Sequence, residues 1–330
     1  MKIDEKTTRQ QSLNAYNQWC KQWREHAEFH RKFDMKSFED FRNTKLGKAI
    51  VCIANGASFE QNIEHIKENQ DKADIFVCDK ALGHCLDNGI VPSYVMVCDA
   101  NVDFKKYLEP WKDKLKDVVL FSNVCGNPLW TEEKYWKDVY FFVNEDVIKS
   151  EVEFSKISGC KNFIPAATNV SNQMVVLLTQ SNNKGRCNFF GYDKIILTGY
   201  DYSWAHGENY YSFDKTGGGK ANYMRQLFIT NCNSDLCYTS NNLLFSSGWL
   251  AKYIKTFKLP IVQCSKKTIL DVGKWGKIEE QMKYSHKSTD RFKVNDLIMQ
   301  RRNLSKKVQY IEKELTQIGK DHYYAFLASV

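Results

Sequence analysis

No stretch of this chain approaches the roughly 18 consecutive apolar residues that a membrane-crossing helix needs. Its opening, MKIDEKTTRQQ, is too polar for the apolar core of a secretory signal. Both absences predict a soluble cytoplasmic protein. The 11 cysteines include no CxxC pair, and their odd number and scattered placement argue against a disulfide framework. Free thiols in a reducing compartment account for them, with Cys52, Cys78 and Cys98 inside apolar runs. Cys232 and Cys237 lack a second ligand pair at zinc spacing and read as structural. His26 and His30 sit in HAEFH, which is not the HExxH order of a zinc helix, and read as ordinary helix-face residues. The TGGGK piece ending at Lys220 has neither the first glycine nor the Ser or Thr of a phosphate loop. No repeat of fixed period is visible, so a solenoid is not expected.

What is present is enough for a core of ordinary size, since 43% of the 330 residues are hydrophobic. Charge is uneven. Residues 251–330 carry 17 Lys and Arg against 8 Asp and Glu, whereas the first 250 residues are near neutral. A basic C-terminal segment suits an acidic partner, and it equally suits a solvated helix face.

Along the chain, residues 10–45 are polar with an apolar stripe at Leu13, Tyr16, Cys20, Trp23, Ala27 and His30, the spacing of an amphipathic helix. From Gly47 to about Asp201, apolar runs (KAIVCIA, DIFVC, SYVMVC, DVVLF, VYFFV, KIILTG) alternate with helical segments. This alternation predicts an α/β fold, a doubly wound, mostly parallel Rossmann-like sheet with helical extensions at both ends. Residues 205–240, rich in glycine and aromatics, read as a mobile lid. A helix over Asn241 to Tyr253 and a short strand PIVQC follow, and Lys293 to Ile318 forms a basic helix with about two heptads of apolar repeat. The boundaries expected are 1–45 for the N-terminal helical segment, 46–265 for the sheet domain and 266–330 for the basic C-terminal segment.

In such a sheet the C-terminal ends of the strands share one edge, where ligands bind. The residues expected there are Asn55 to Ser58, Asp79, Asp99 with Asn101 and Asp103, Asn123, and Asp201. Ser58 with Gln61 makes a capping box, and Gly56 before it would let an anion approach the backbone. Thr168 and Asn169 precede a strongly apolar helix and offer a second anion-facing N-terminus. Asp99 and Asp103 in VCDANVD are hard oxygen ligands of the kind magnesium takes beside phosphates. His206 is the one histidine near this edge, a candidate to deprotonate an acceptor hydroxyl as well as an ordinary loop histidine. Tyr202, Trp204, Tyr210 and Tyr211 could cover a base or a sugar face.

The ordered set GKAIVCIANGASF, DKALGHCLDNGIVPSYVMVCDANVD, PAATNVSNQMVVLL and KIILTGYDYSW, over roughly Arg42 to Trp204, resembles the MptE-like domain family. That family includes archaeal hydroxymethylpterin diphosphokinases and motility-associated (Maf) flagellin glycosyltransferases, and its opening motif is similar to that of bacterial sialyltransferases using CMP-sugars. The resemblance implies nucleotide phosphates or ribose at Asn55, Gly56 and Ser58, and polar contacts at Asp79, Asp99, Asn169 and Asp201. Two departures stand out. Ala57 replaces the family's usual proline, and CDAN stands where the diphosphokinase branch resembles DLDG, so the second acid of that pair is missing.

Three functions follow as expectations. The first is a transferase using a nucleotide-activated donor, a nucleotide sugar above all, with Asp99, Asp201 and His206 as catalytic candidates and magnesium as the candidate cofactor. The second is ATP-dependent diphosphate transfer, as the diphosphokinase branch implies. The third is a binding module whose basic C-terminal helix, with Lys306 and Lys307, grips nucleic acid or another acidic partner.

Overall fold

The computed structural model describes residues 5–180, 189–205 and 226–282. Strand by strand, the apolar runs become β1 (Ala49–Ile53), β2 (Asp74–Cys78), β3 (Tyr94–Val97), β4 (Val119–Asn123), β5 (Asp138–Glu145), β6 (Phe163–Pro165), β7 (Lys194–Thr198) and, last, β10 (Ile261–Gln263). Every residue of β1, β3 and β4 is buried, as expected of strands covered on both faces. All eight pair in parallel, in the order β10-β7-β1-β2-β3-β4-β5-β6. The chain lays β1 to β6 down in sequence, then returns to the free side of β1. The doubly wound α/β fold expected from the sequence is the one observed.

The return is made by α6 (Val170–Thr179), which packs across β6, β3, β2 and β1 and is buried from Asn172 to its end. The other helices are α1 (Glu5–His30), α2 (Ile63–Asn69), α3 (Leu82–Asp87), α4 (Phe104–Tyr107), α5 (Glu151–Ser158), α7 (Asn241–Phe257) and α8 (Ile278–Met282). A two-stranded antiparallel hairpin, β8 (Gln226–Thr230) with β9 (Leu236–Ser240), stands apart from the sheet. It ends the excursion read as a lid. Residues 206–225 of that excursion, including His206, Tyr210 and Tyr211, and the basic helix of 293–318 lie outside the described residues.

The N-terminal helix is shorter than the 10–45 expected. It ends at His30, and a separate 3₁₀ turn, Phe38–Phe41, follows with Ser37 as its cap. Its stripe is buried at Ala27 and His30 and half-buried at Leu13, Tyr16, Cys20 and Trp23. Trp23 meets Phe154 of α5 edge-on at 6.1 Å, while the Tyr16 hydroxyl and the Arg24 guanidinium both donate to the Glu153 carboxylate, at 2.6 and 2.5 Å. His30 is not an ordinary helix-face residue. It is fully buried, its Nδ1 donating to Val124 O at 2.8 Å and its Nε2 lying 3.0 Å from Thr131 Oγ1. Burial lowers its pKa to about 4, so the ring is neutral. The ten described cysteines are all free thiols.

Candidate functional site

The strand order reverses between β1 and β7, and the loops leaving these two strands meet closely. Gly56 N–H donates to Gly199 O at 2.9 Å. A Cβ on Gly56 would lie 2.4 Å from that carbonyl and 2.7 Å from an Asp201 carboxylate oxygen. Gly199 has φ +71, and a Cβ there would lie 2.2 Å from Ala54 O. Gly56 is therefore glycine so that another part of the protein can approach it, and its N–H is taken by Gly199 O.

Asp201 also captures Ser58. The Ser58 N–H donates to Asp201 Oδ2 at 2.8 Å and its hydroxyl donates to Asp201 Oδ1. The capping box is not formed: Gly56 is the cap residue, and residues Ala57–Asn62 wind as a 3₁₀ helix before α2 begins. With both carboxylate oxygens engaged and only 4% of its surface exposed, Asp201 holds the two loops together.

Over this junction lies a cleft of about 610 Å³, walled by the ends of β1, β2, β3 and β7, the N-termini of α6 and α7, and Ala15 and Trp23 of α1. It brings together Asn55, Gly56, Asp79, Asp99, Thr168, Asn169 and Asp201. Two amides reach it unsatisfied: both polar atoms of the Asn55 side chain, and Oδ1 of Asn144 at the end of β5, are buried without a partner among the described residues. In a protein interior that costs free energy unless a ligand supplies the partner. Asn169 caps α6, its Oδ1 accepting from Asn172 N–H at 2.9 Å, so the positive end of that helix dipole points into the cleft region. The amide nitrogen of Asn172 donates to Thr168 Oγ1 at 2.7 Å and to Ser246 O of α7 at 3.1 Å, and its Oδ1 accepts from the Tyr202 hydroxyl. One buried amide thus ties three walls together. Tyr202 holds φ +53, a left-handed conformation uncommon for a residue with a side chain.

The three carboxylates of the cleft differ. Asp99 is exposed at the mouth and accepts from Asn101 N–H at 2.8 Å. Asp79 is 2% exposed, and burial, with the nearby Asp99 charge adding to it, raises its pKa to about 6.

Other expected residues lie elsewhere. The Asn123 side chain folds back to accept from Cys125 N–H at 2.8 Å, making a local turn outside the cleft lining. Asp103 caps α4, accepting from Lys106 N–H at 3.2 Å, and lines a separate depression with Gln22 and His26. The Asp99 and Asp103 pair expected for magnesium therefore does not converge, and among the described residues no group of three His, Cys, Asp or Glu side chains is set to hold a metal ion. Trp204 pairs its backbone with Tyr238 of β9 and stacks on that ring at 6.4 Å, away from the cleft lining. Sequence reasoning missed Asn144, Trp23 and Lys80. Asn144 directly follows the VYFFV run, where the strand-end reading applied to the other strands would have found it; Trp23 reads only as one position of a helix stripe, and Lys80 is hidden beside Asp79.

Residues 21–207 match the family described as 6-hydroxymethylpterin diphosphokinase MptE-like. No curated protein matches the chain. Among solved structures, the Maf glycosyltransferase from Magnetospirillum magneticum AMB-1 is similar in fold, with a TM-score of 0.60 and 17% identity over 84% of this chain. The match takes in 41% of that protein, so this chain spans about two fifths of its length.

Proposed function

The chain belongs to the MptE-like family, and from that premise we propose that it is a transferase that takes a nucleotide-activated donor, most simply a nucleotide sugar, into the cleft at the β1–β7 reversal. The observation that carries this reading is the pair of unsatisfied amides, Asn55 and Asn144, in the crevice where an open parallel sheet binds its ligands. An amide with a free donor and a free acceptor suits hydroxyls of a ribose or hexose. Charge divides the cleft. Phosphates are repelled by Asp79 and Asp99 and drawn to the α6 N-terminus, leaving the carboxylate end to the sugar and its acceptor. That a similar fold serves a Maf glycosyltransferase supports the choice of donor. Magnesium is given no step: Asp103 caps a helix in a separate depression and both Asp201 oxygens bind Ser58, which leaves Asp99 as the exposed carboxylate that would hold it together with donor phosphates.

Titration calorimetry with CMP, UDP, ADP and GDP, each with and without magnesium, tests the reading. One nucleotide should bind, and Asn55→Ala should weaken it about tenfold or more, the loss of one or two hydrogen bonds. Binding of none would overturn the reading, and binding indifferent to Asn55→Ala would place the nucleotide site elsewhere. Product analysis then fixes the reaction. Release of CMP or a nucleoside diphosphate marks sugar transfer, while AMP release with a diphosphorylated acceptor marks the diphosphokinase activity in the family's description.

A further inference from the structure

We propose that Asp79 is the catalytic base of the transfer, taking the proton from the acceptor hydroxyl; this rests on the nucleotide-sugar reading above. Asp79 follows directly on β2, the strand beside β1, and its carboxylate lines the cleft with almost none of its surface open to bulk water. One oxygen, Oδ1, accepts from Lys80 N–H at 2.7 Å and is fixed by it. The other has no partner among the described residues and stays accessible from the cleft. It is oriented, unsatisfied and open to the cleft alone, which is what a base needs to meet one hydroxyl.

The other two acids are poorer candidates for that task. Asp201 has both oxygens occupied by Ser58 and ties two loops whose backbones touch. Asp99 is exposed to water at the mouth, where solvent competes with an acceptor hydroxyl for its oxygens. Among the described residues lining the cleft, the charged groups facing Asp79 are Lys80, Asp99 and Asp201; the other titratable ones are the thiols of Cys78 and Cys98 and the phenols of Tyr200 and Tyr202. α1, α6 and α7 contribute no charge to that lining. Lys80 lowers the proton affinity of Asp79 and Asp99 raises it, but burial dominates and leaves a base suited to neutral pH.

The step balances without a further reactant. The acceptor oxygen bonds to the anomeric carbon, and the bond from that carbon to the donor's phosphate oxygen breaks. The nucleotide leaves with that electron pair, and the acceptor's proton passes to the free oxygen of Asp79.

The test uses the full chain with the donor found by titration, following kcat and kcat/KM from pH 4.5 to 8.5. The wild type should lose kcat/KM below about pH 6, because the base is then protonated. Asp79→Asn should bind donor within about threefold of wild type and lose roughly 10²- to 10⁴-fold in kcat. If Asp79→Asn turns over within tenfold of wild type, or the wild type keeps its full kcat/KM well below pH 6, Asp79 is not the base. A wild type that transfers no sugar from any donor refutes the underlying reading, and this proposal with it.

Discussion

Gly56 and Gly199 stand where two backbones touch, and the contact leaves no room for even one methyl group. Replacing Gly56 with alanine puts a Cβ 2.4 Å from the Gly199 carbonyl and 2.7 Å from the Asp201 carboxylate, neither of which can swing aside as a flexible chain end would. We expect Gly56→Ala to cost about 3 kcal/mol or more, seen as a lower Tm or as loss of soluble protein. A Tm within a degree or two of wild type would mean that the two loops are not locked as described. This contact also shows why the role of the Gly56 to Ser58 stretch was only partly legible. The residues that would form a capping box are all present, but the Ser58 hydroxyl goes to a carboxylate 143 residues further on. A local pattern reports which bonds a side chain can make; it does not report which partner the fold brings first.

Helix α1 is held by polar anchors as well as by its stripe, and His30 is the deepest of them. Between its ordinary pKa of 6.5 and its folded value of about 4, the unfolded chain takes up a proton that the buried ring refuses. The stability this ring contributes is whole above pH 6.5 and is lost as the pH falls toward 4. His30→Gln has no such proton, so its stability deficit relative to wild type should shrink by up to about 3 kcal/mol over that window. Denaturant unfolding of both proteins at pH 7.5, 5.5 and 4.5 checks this, and a deficit independent of pH would mean that His30 is not buried neutral. Legibility at this scale followed length and pattern. The long runs of β1, β2, β4 and β7 and the periodic stripe of α1 were readable; β6, three residues long, and the β8–β9 hairpin were not, because segments so short carry too few residues to show a period. Nor does a stripe show that Trp23 would line a cleft as well as pack on the core.

The whole sheet depends on the crossover made by α6. Parallel alternation could be read from the sequence, and so could the set of acids along one edge, but the position of β7 on the far side of β1 could not. Strand order is decided by which edges remain free once the earlier strands have paired, and no local pattern records that. Until β7 arrives, β1 has one unpaired side although each of its five residues is fully buried in the finished protein. A fragment ending at residue 180 should therefore aggregate or bind a hydrophobic dye strongly, and a monomeric fragment without dye binding would show that the first six strands suffice by themselves. The same geometry has a consequence for the protein in the act of being made. A ribosome delivers β1 through β6 in the order in which they pair, so that part of the sheet can assemble as it emerges. The interior strand β1, however, must wait for about 140 more residues, roughly ten seconds at ordinary rates of translation, before its second neighbour appears. During that interval the interior of the future sheet is its most adhesive edge. Growing chains crowded on one message would meet along that edge, and slow passage through the α6 to β7 stretch would lower the yield of folded protein without altering a single residue.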